Sequence, residues 1–184
     1  MNKIAMITGA TSGIGLGTAK ALASEGFNLI LTGRRNDRLE NIKKEIEEKY
    51  KVKVLILCFD VRNQSEVEKA VSSLSAEWKN IDVLVNNAGL AVGLEPIQEG
   101  LIEDWERMID TNVKGLLYVT RAVSPMMCSR KSGHIVNICS TAGKEVYPNG
   151  NVYCATKHAV DALSKAMRQD MLPYGIKVTN ICPG

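Results

Sequence analysis

Thr8-Gly9-Ala10-Thr11-Ser12-Gly13-Ile14-Gly15 ends an apolar run and leads directly into a segment with helical periodicity. Glycines let a backbone turn tightly and approach a pyrophosphate, and the start of a helix offers unpaired N–H groups to phosphates. The spacing Gly-x-x-x-Gly-x-Gly also suits a simple tight turn between a strand and a helix. Its position after the first strand favours a dinucleotide-binding loop. The expected phosphate contacts are Gly9, Thr11, Ser12, Gly13, Ile14 and Gly15.

Outward from this loop, apolar runs of strand length alternate with segments of helical periodicity along the whole chain. Strands that are apolar on both faces predict a parallel sheet covered by helices on each side, an α/β fold of three layers. Two βαβαβ halves in a doubly wound, Rossmann-type sheet are therefore expected. The predicted strands are residues 4–8, 27–32, 52–59, 81–86, 134–139 and 176–182, and the predicted helices are residues 14–24, 37–49, 64–78, 101–127 and 152–172.

The composition is that of an ordinary globular protein, with 45% hydrophobic and 23% charged residues among 184. This length suits one domain over residues 1–184. The net charge of +3 is too small to favour nucleic acid, and the basic residues between positions 34 and 53 alternate with glutamates as on a solvated helix face. No apolar run approaches the roughly 20 residues of a membrane span. We therefore expect neither a nucleic-acid nor a membrane partner.

The chain has five cysteines and only two histidines. Unpaired spacing and an odd number of cysteines, mostly in apolar runs, fit free thiols in a reducing cytosol better than disulfides or a zinc site. The start of the chain is strand-like and runs straight into the glycine loop, which is not the pattern of a signal peptide. A cytoplasmic protein without a bound metal is expected. The cysteines are Cys58, Cys128, Cys139, Cys154 and Cys182.

The end of the second predicted strand, Thr32-Gly33-Arg34-Arg35, indicates which dinucleotide is bound. An NAD site places an acidic residue here for the ribose 2′-hydroxyl, whereas this chain has two cations. Guanidinium groups match the oxygens of a 2′-phosphate, so NADP is the expected cofactor. Arg34 is the expected main ligand, and Arg35 is placed to stack on adenine. Asp37 either faces the ribose or caps the following helix, and the second interpretation is favoured.

The ends of the third and fourth predicted strands carry further candidate cofactor contacts. Asp60-Val61 places a carboxylate where it can accept a hydrogen bond from the adenine amino group, although Asp60 is equally suited to cap the helix after Asn63. Small residues in Asn86-Asn87-Ala88-Gly89 allow the backbone to approach a cofactor closely. The asparagine side chains can also tie neighbouring strand ends together. Asn87, Ala88 and Gly89 are the expected contacts.

Ser140, Tyr153 and Lys157 can bring a hydroxyl, a phenol and an ammonium to one crevice. Ser140 ends the fifth apolar run, and Tyr153 and Lys157 are four residues apart, so they share one face of the next helix. A free phenol titrates near ~10, and a nearby cation favours its ionised form. Tyr-x-x-x-Lys by itself is more often a surface pair than a catalytic one. Asn112 lies in a long helical segment, where asparagine often only bends the helix.

In this order, residues 8–15, residues 86–89, Asn112, Ser140 and Tyr153-x-x-x-Lys157 resemble the short-chain dehydrogenase/reductase family over essentially the whole chain. The resemblance implies the strand order 3-2-1-4-5-6 and hydride transfer to or from C4 of a nicotinamide. It makes Tyr153 the general acid/base and places Ser140 on the substrate oxygen. It also places Lys157 on the nicotinamide ribose and Asn112 beside a water on the proton path. Pro183 and Gly184 correspond to the start of a further cofactor-contacting region.

The resemblance has two implications for the rest of the molecule. Family members continue past the sixth strand with a substrate-covering loop and helix, so the C-terminal part of the family fold is absent from this sequence. A homo-oligomer, either a dimer or a tetramer, is also implied. The helices predicted at residues 101–127 and 152–172 are the expected packing faces.

Shorter stretches resemble the NADP-dependent 3-hydroxy acid (serine or allo-threonine) dehydrogenase branch of that family. They are residues 87–91, 103–106, 109–112 and 150–153. The expected function is hydride transfer between NADP(H) and a small hydroxy or carbonyl compound, with a 3-hydroxy acid as the specific substrate. Lys144 is one candidate cation for its carboxylate, and a solvent-facing Lys144 is equally compatible. The alternatives are a non-catalytic NADP-binding or sensing module, and an epimerase or dehydratase that uses the same Tyr/Lys pair.

Overall fold

Six strands form one parallel sheet in the computed structural model, which describes residues 2–184. They are β1 (Ile4–Ile7), β2 (Asn28–Gly33), β3 (Val54–Cys58), β4 (Ile81–Asn86), β5 (His134–Ile138) and β6 (Lys177–Ile181). Hydrogen-bonded neighbours follow the order β3-β2-β1-β4-β5-β6, and each pair is parallel. The predicted strand order 3-2-1-4-5-6 is therefore confirmed.

Helices cover both faces of the sheet and form the predicted outer layers. They are α1 (Gly13–Ser24), α2 (Asn36–Tyr50), α3 (Gln64–Ser72), α4 (Ile102–Ile109), α5 (Leu116–Arg130) and α6 (Asn151–Met171). Alternate residues of β1 face opposite sides, as the pleat requires. Ala5 and Ile7 pack in the cluster that includes α1 and α2, whereas Ile4 and Met6 pack in the cluster that includes α3, α5 and α6. Strands apolar on both faces thus bury both faces.

Two of the helices differ from the predicted ones. The helix predicted at residues 64–78 ends at Ser72, where the hydroxyls of Ser72 and Ser73 donate to carbonyl oxygens three residues earlier and favour a turn. The segment predicted as one helix at residues 101–127 consists of α4, a π-helical segment (Asp110–Gly115) and α5. Pro125 lies inside α5.

Asn112 gives the physical reason for the π-helical segment. Its buried side chain donates from Nδ2 to the Leu90 carbonyl oxygen at 2.9 Å and to Thr156 Oγ1 at 3.0 Å. Its Oδ1 accepts from the Leu90 N–H at 2.8 Å. A wider turn carries the side chain to the loop after β4. Gly115 ends the segment against Val61, where a Cβ atom would lie only 2.7 Å from Val61 Cγ2.

A buried series of polar side chains joins β4 and β5 to the helices behind them. Asn86 Nδ2 donates to Asn137 Oδ1 and to Thr120 Oγ1, both at 2.9 Å. Asn137 Nδ2 then donates to Ser164 Oγ at 2.9 Å. Each of these side chains is buried, so the hydrogen bonds give partners to polar groups that have no access to water. The predicted role of Asn86 in tying neighbouring strand ends together is confirmed.

The cysteines are free thiols in the structure, with Cys58 exposed, Cys128 and Cys182 partly buried, and Cys139 and Cys154 buried. Among the described residues, no three His, Cys, Asp or Glu side chains are grouped so that they could hold a metal ion. Residues 2–184 include no helix with the length and apolar character needed to cross a membrane.

Asp161 of α6 is the centre of an ion-pair network that reaches the turn after β5. Its carboxylate accepts from Lys144 Nζ at 2.5 Å, from Lys165 Nζ at 2.8 Å and from Asn180 Nδ2 at 2.9 Å. The side chain of Asp161 is only 12% exposed. Hydrogen bonds from Lys144 and Lys165 lower the pKa of Asp161 to about 2. The network therefore stabilises the contact of α6 with the turn and with β6.

Replacing Asp161 by Asn should lower the free energy of unfolding at pH 7 by about 1–2 kcal/mol, because a folded pKa below the unfolded value stabilises the fold when the carboxyl is ionised. Lys144 and Lys165 are half exposed or more, so solvent screening keeps the effect to this size. The stabilisation is present above about pH 4 and is lost as the pH falls towards about 2. Urea denaturation of both proteins at pH 7 and at pH 3 measures it.

Glu68→Gln is the matched control, because Glu68 forms an exposed ion pair with Arg121. This substitution should change the free energy of unfolding by less than about 0.5 kcal/mol. An Asp161→Asn effect no larger than that of the control, or one that is the same at pH 7 and pH 3, would contradict the assigned stabilisation.

Candidate active site

A cleft of about 530 Å³ opens at the carboxyl ends of the strands. Parallel strands end on the same side of a sheet, so motifs that are far apart in the sequence meet here. All the predicted site residues line the cleft except Gly15 and Asn112. Those that line it are Gly9, Thr11, Ser12, Gly13, Ile14, Arg34, Arg35, Asp60, Val61, Asn87, Ala88, Gly89, Ser140, Tyr153, Lys157, Pro183 and Gly184.

The glycine loop (residues 8–15) packs closely against the end of β4. Asn87 Nδ2 donates to the carbonyl oxygens of Thr8 at 2.8 Å and Gly9 at 3.2 Å. A Cβ atom on Gly15 would lie 2.4 Å from Asn87 Nδ2, and one on Gly9 would lie 3.0 Å from the Ala88 Cα. Gly9 also has a φ of +64°, which favours glycine. Gly15 therefore serves the packing of the loop rather than the surface of the cleft.

Thr8, for which the sequence predicted no structural role, joins the loop to β4. Its Oγ1 accepts from the N–H groups of Asn87 at 3.0 Å and Ala88 at 2.9 Å, and it donates to the Val85 carbonyl oxygen at 3.4 Å. Thr8 is only 2% exposed. A hydroxyl at the end of an otherwise apolar strand was the available signal, because a buried hydroxyl needs partners.

The start of α1 fits the phosphates of a dinucleotide. No side chain caps the N–H groups of its first turn, and Ser12 occupies the N-cap position in an extended conformation. Gly13 has a φ of +54°, and no atom lies within 4 Å of where its Cβ would stand. Free N–H groups, the helix dipole and open space are what a phosphate site requires.

Two arginines stand where the cleft reaches the ends of β2 and β3. Arg35 Nη2 donates to Thr11 Oγ1 at 2.6 Å, and Arg34 Nη1 lies 3.8 Å from Asp60 Oδ2. Burial favours the neutral Asp60 carboxyl, but hydrogen bonds from Arg62 outweigh it and lower the pKa of Asp60. Arg62, which the sequence analysis missed, donates to Asp60 Oδ2 at 2.6 Å from Nη2.

Both capping interpretations made from the sequence were wrong. Asn63, not Asp60, caps α3, because its Oδ1 accepts from the N–H groups of Ser65 and Glu66. Asp37 lies inside the first turn of α2, whose N-cap position is occupied by Arg35 without a side-chain hydrogen bond. A carboxylate within the first turn still interacts favourably with the helix dipole, which accounts for Asp37 there.

Ser140 follows β5 and begins a short 3₁₀ turn (Thr141–Gly143). Its Oγ accepts from the Ala142 N–H at 3.1 Å, which holds the hydroxyl at the edge of the cleft. The Thr141 N–H donates to the Pro183 carbonyl oxygen at 2.8 Å, so the segments after β5 and β6 stay paired beyond the sheet. The Ser140 hydroxyl hydrogen is not used in this contact.

Tyr153 and Lys157 project from α6 toward the same cleft. Lys157 Nζ lies 5.8 Å from the centre of the Tyr153 ring and donates to the Ile138 carbonyl oxygen at 3.0 Å. Lys157 is only 7% exposed, and burial lowers its pKa. Cys139 Sγ donates to the Lys157 carbonyl oxygen at 3.1 Å, so the residue that follows β5 contacts this turn of α6.

Asn112 lies behind the cleft rather than on its surface. Thr156, which accepts from Asn112 Nδ2, donates from its own Oγ1 to the Tyr153 carbonyl oxygen at 2.8 Å. A Cβ atom on Gly89 would lie 3.2 Å from Asn112 Oδ1 and 3.7 Å from Lys157 Nζ. Gly89 thus lets the loop after β4 pass close to both side chains. Leu90 also lines the cleft, and the sequence offered no specific signal for it.

Lys144 is not on the surface of this cleft. Its ammonium is held by Asp161, and this pairing raises the pKa of Lys144. Of the two interpretations of Lys144 left open by the sequence, the structure favours the solvent-facing one, because the side chain is 49% exposed and paired with Asp161. Attraction to a carboxylate buried on the neighbouring helix is the physical reason.

Comparison with known proteins agrees with this architecture. The family model described as short chain dehydrogenase matches residues 3–184. The NADP-dependent 3-hydroxy acid dehydrogenase YdfG of Salmonella typhi is 50% identical over 181 residues, which are 98% of this chain and 71% of that protein.

Two solved structures are similar to the chain over 98% of its length. The crystal structure of serine dehydrogenase from Escherichia coli has a TM-score of 0.93 and 49% identity, with 82% of that chain covered. The closed form of serine dehydrogenase complexed with NADP+ has a TM-score of 0.92 and 48% identity, with 71% of that chain covered. A family match over nearly all residues and relatives at this identity leave one conclusion: the chain belongs to the short-chain dehydrogenase family.

Proposed function

We propose that the chain is an NADP(H)-dependent oxidoreductase that transfers a hydride between the nicotinamide and a small hydroxy or carbonyl compound. The observation that carries this proposal is that Ser140, Tyr153 and Lys157 line the same cleft as the glycine loop. The names of the relatives support it, because one is an NADP-dependent dehydrogenase and one is complexed with NADP+.

Tyr153 is the proposed general acid/base. The Lys157 ammonium lies 5.8 Å from the centre of its ring, so a cation stands beside the phenol. When an alcohol is oxidised, Tyr153 takes the hydroxyl proton, and when a carbonyl is reduced, it returns the proton to the oxygen. The bound nicotinamide accepts or supplies the hydride. Proton transfer is thus assigned to the Tyr153 hydroxyl.

Ser140 and Lys157 are proposed to position the groups that react. The Ser140 hydroxyl donates to the substrate oxygen, and one such donor typically stabilises developing negative charge by about 3 kcal/mol. Lys157 is held by the Ile138 carbonyl oxygen, which directs its ammonium beside Tyr153 and toward a nicotinamide ribose. Asn112 fixes the loop after β4 and, through Thr156, the helix turn that carries Tyr153.

Replacing Tyr153 by Phe should lower kcat by about 10²–10⁴-fold, because the substitution removes the group that transfers the proton. The dissociation constant for NADPH should change little, since the ring is kept. NADPH consumption at 340 nm with a panel of carbonyl compounds, and fluorescence titration with NADPH, measure the two effects.

Tyr174→Phe is the matched control, because Tyr174 is an exposed tyrosine outside the cleft. It should keep the native kcat. Retention of most of the activity in Tyr153→Phe would refute the mechanism. NADPH binding without turnover by the native protein would instead support the alternative, a non-catalytic NADP-binding module.

We also propose a preference for NADP(H) over NAD(H). Arg34 and Arg35 line the cleft beyond β2, and the only carboxylate near them in the lining, Asp60, is itself bonded to Arg62. Arg35 is oriented by Thr11. This arrangement offers two guanidinium groups to a 2′-phosphate.

Arg34→Ala should raise the KM for NADP(H) by about tenfold or more, because a charge-assisted contact with the 2′-phosphate is lost. The KM for NAD(H), which has no 2′-phosphate, should stay nearly unchanged. Arg38→Ala, in α2 and outside the cleft, is the control and should leave both values unchanged. Equal efficiency of the native protein with both cofactors, or an unchanged KM for NADP(H) in Arg34→Ala, would overturn the preference.

A small 3-hydroxy acid is the proposed specific substrate, and the name of the YdfG relative supports it. With Lys144 bonded to Asp161, the substrate carboxylate is assigned to hydrogen-bond donors or cations other than Lys144. We expect kcat/KM for L-serine, L-allo-threonine or 3-hydroxybutyrate to exceed that for uncharged alcohols of the same size by about tenfold. Steady-state kinetics on this panel tests the substrate class, and a preference for the uncharged alcohols would exclude it.

Self-association is proposed as well. The helical segment from α4 to the start of α5 carries exposed apolar side chains, among them Ile102, Ile109 and Leu117. Exposed apolar groups of this kind favour contact with another protein surface. A homo-oligomer formed through this segment would bury them.

A further inference from the structure

Two cysteines stand directly opposite each other where β5 and β6 end. The strands pair in parallel with Ile138 opposite Ile181, so the next residues, Cys139 and Cys182, are also opposite. The Cys139 N–H donates to the Ile181 carbonyl oxygen at 2.7 Å. Neighbouring strands lie about 4.8 Å apart, which is within the range of Cα separations that a disulfide spans.

The two thiols are on the same face of the sheet. Side chains alternate along each strand, and two residues earlier Asn137 and Asn180 both hydrogen-bond to side chains of α6. Cys139 and Cys182 accordingly belong to the same hydrophobic cluster under α6. The neighbouring Cys182 thiol adds to burial in raising the pKa of Cys139.

We propose that Cys139 and Cys182 form a site of reversible oxidation, which a peroxide converts to an intramolecular disulfide that slows turnover. The thiol chemistry rests only on the pairing of the two cysteines. The effect on turnover rests on the proposed function of the cleft.

The reaction requires only the two thiols and one molecule of hydrogen peroxide. Burial raises the pKa of the Cys139 thiol, whereas Cys182 is the more exposed of the two, so Cys182 attacks first. Its sulfur bonds to one peroxide oxygen as the O–O bond breaks, which leaves a sulfenic acid and releases one water. Cys139 then attacks the sulfenic sulfur and expels the second water. The two sulfurs lose two electrons in total, and the peroxide gains them.

The disulfide would act on the candidate catalytic groups through direct contacts. Cys139 precedes Ser140 and donates from Sγ to the Lys157 carbonyl oxygen at 3.1 Å, a hydrogen bond that oxidation removes. Cys182 precedes Pro183, which lines the cleft. A crosslink here would shift the backbone before Ser140 and remove the hydrogen bond to the Lys157 carbonyl oxygen, so turnover should fall.

Peptide mapping can identify the bond without ambiguity, because each of the five cysteines lies in a different tryptic peptide. The purified protein is treated with hydrogen peroxide, its remaining thiols are alkylated, and the digest is compared by mass spectrometry with and without reduction. We expect a linked pair in which residues 132–144 are joined to the peptide that begins at Val178. NADPH turnover should fall by about tenfold in parallel and return on reduction with dithiothreitol.

Two cysteine variants distinguish oxidation of the Cys139–Cys182 pair from oxidation of other residues. Cys182→Ser should form no linked pair and should keep, after peroxide, the turnover of its own reduced form. Cys58→Ser, which removes the exposed thiol at the end of β3, should respond like the native protein. Absence of the linked pair, an unchanged turnover despite it, or loss of the response in Cys58→Ser would overturn the proposal. If the reduced protein shows no turnover at all, the proposed function fails, while the linked pair still tests the thiol site.

Discussion

The hydrogen bonds of Thr8 and Asn87 connect the two halves of the sheet where the cleft opens. Thr8 Oγ1 accepts from two N–H groups after β4, and Asn87 Nδ2 donates back to the carbonyl oxygens of Thr8 and Gly9. The amide occupies the space where a side chain on Gly15 would stand. The glycine loop therefore has one position relative to β4, and the distance between the phosphate end and the catalytic end of the cleft follows from it.

Helix α6 packs against the loop after β4 and completes the cleft on the side opposite the glycine loop. Its turn with Tyr153 is joined to the loop after β4 through Thr156 and Asn112. The next turn contacts β5 through the Ile138 carbonyl oxygen and Cys139. Hydrogen bonds on both sides hold the helix turns that carry Tyr153 and Lys157, and the proposed proton transfer depends on their placement. The proposed oxidation of Cys139 would act through the same contact of this helix with the end of β5.

The predictions succeeded where a local pattern has one physical solution. Strands apolar on both faces require cover on both faces, and the six strands were found within a few residues of their predicted positions. The predictions were wrong where a distant partner competes. Leu90 and Thr156 draw the Asn112 side chain into a π-helical turn, and Asp60 pairs with Arg62 while Asn63 caps α3 in its place.

The sequence by itself determined the layered parallel fold and the place of the glycine loop, because spacing and apolar periodicity act between neighbours in the chain, and its motifs named many of the residues that line the cleft. Only the tertiary structure decided which polar groups are paired with which. Thr8 with Asn87, Lys144 with Asp161 and Cys139 opposite Cys182 are all contacts between segments far apart in sequence. Such contacts depend on strand register and burial, and neither quantity is encoded in any single stretch of residues.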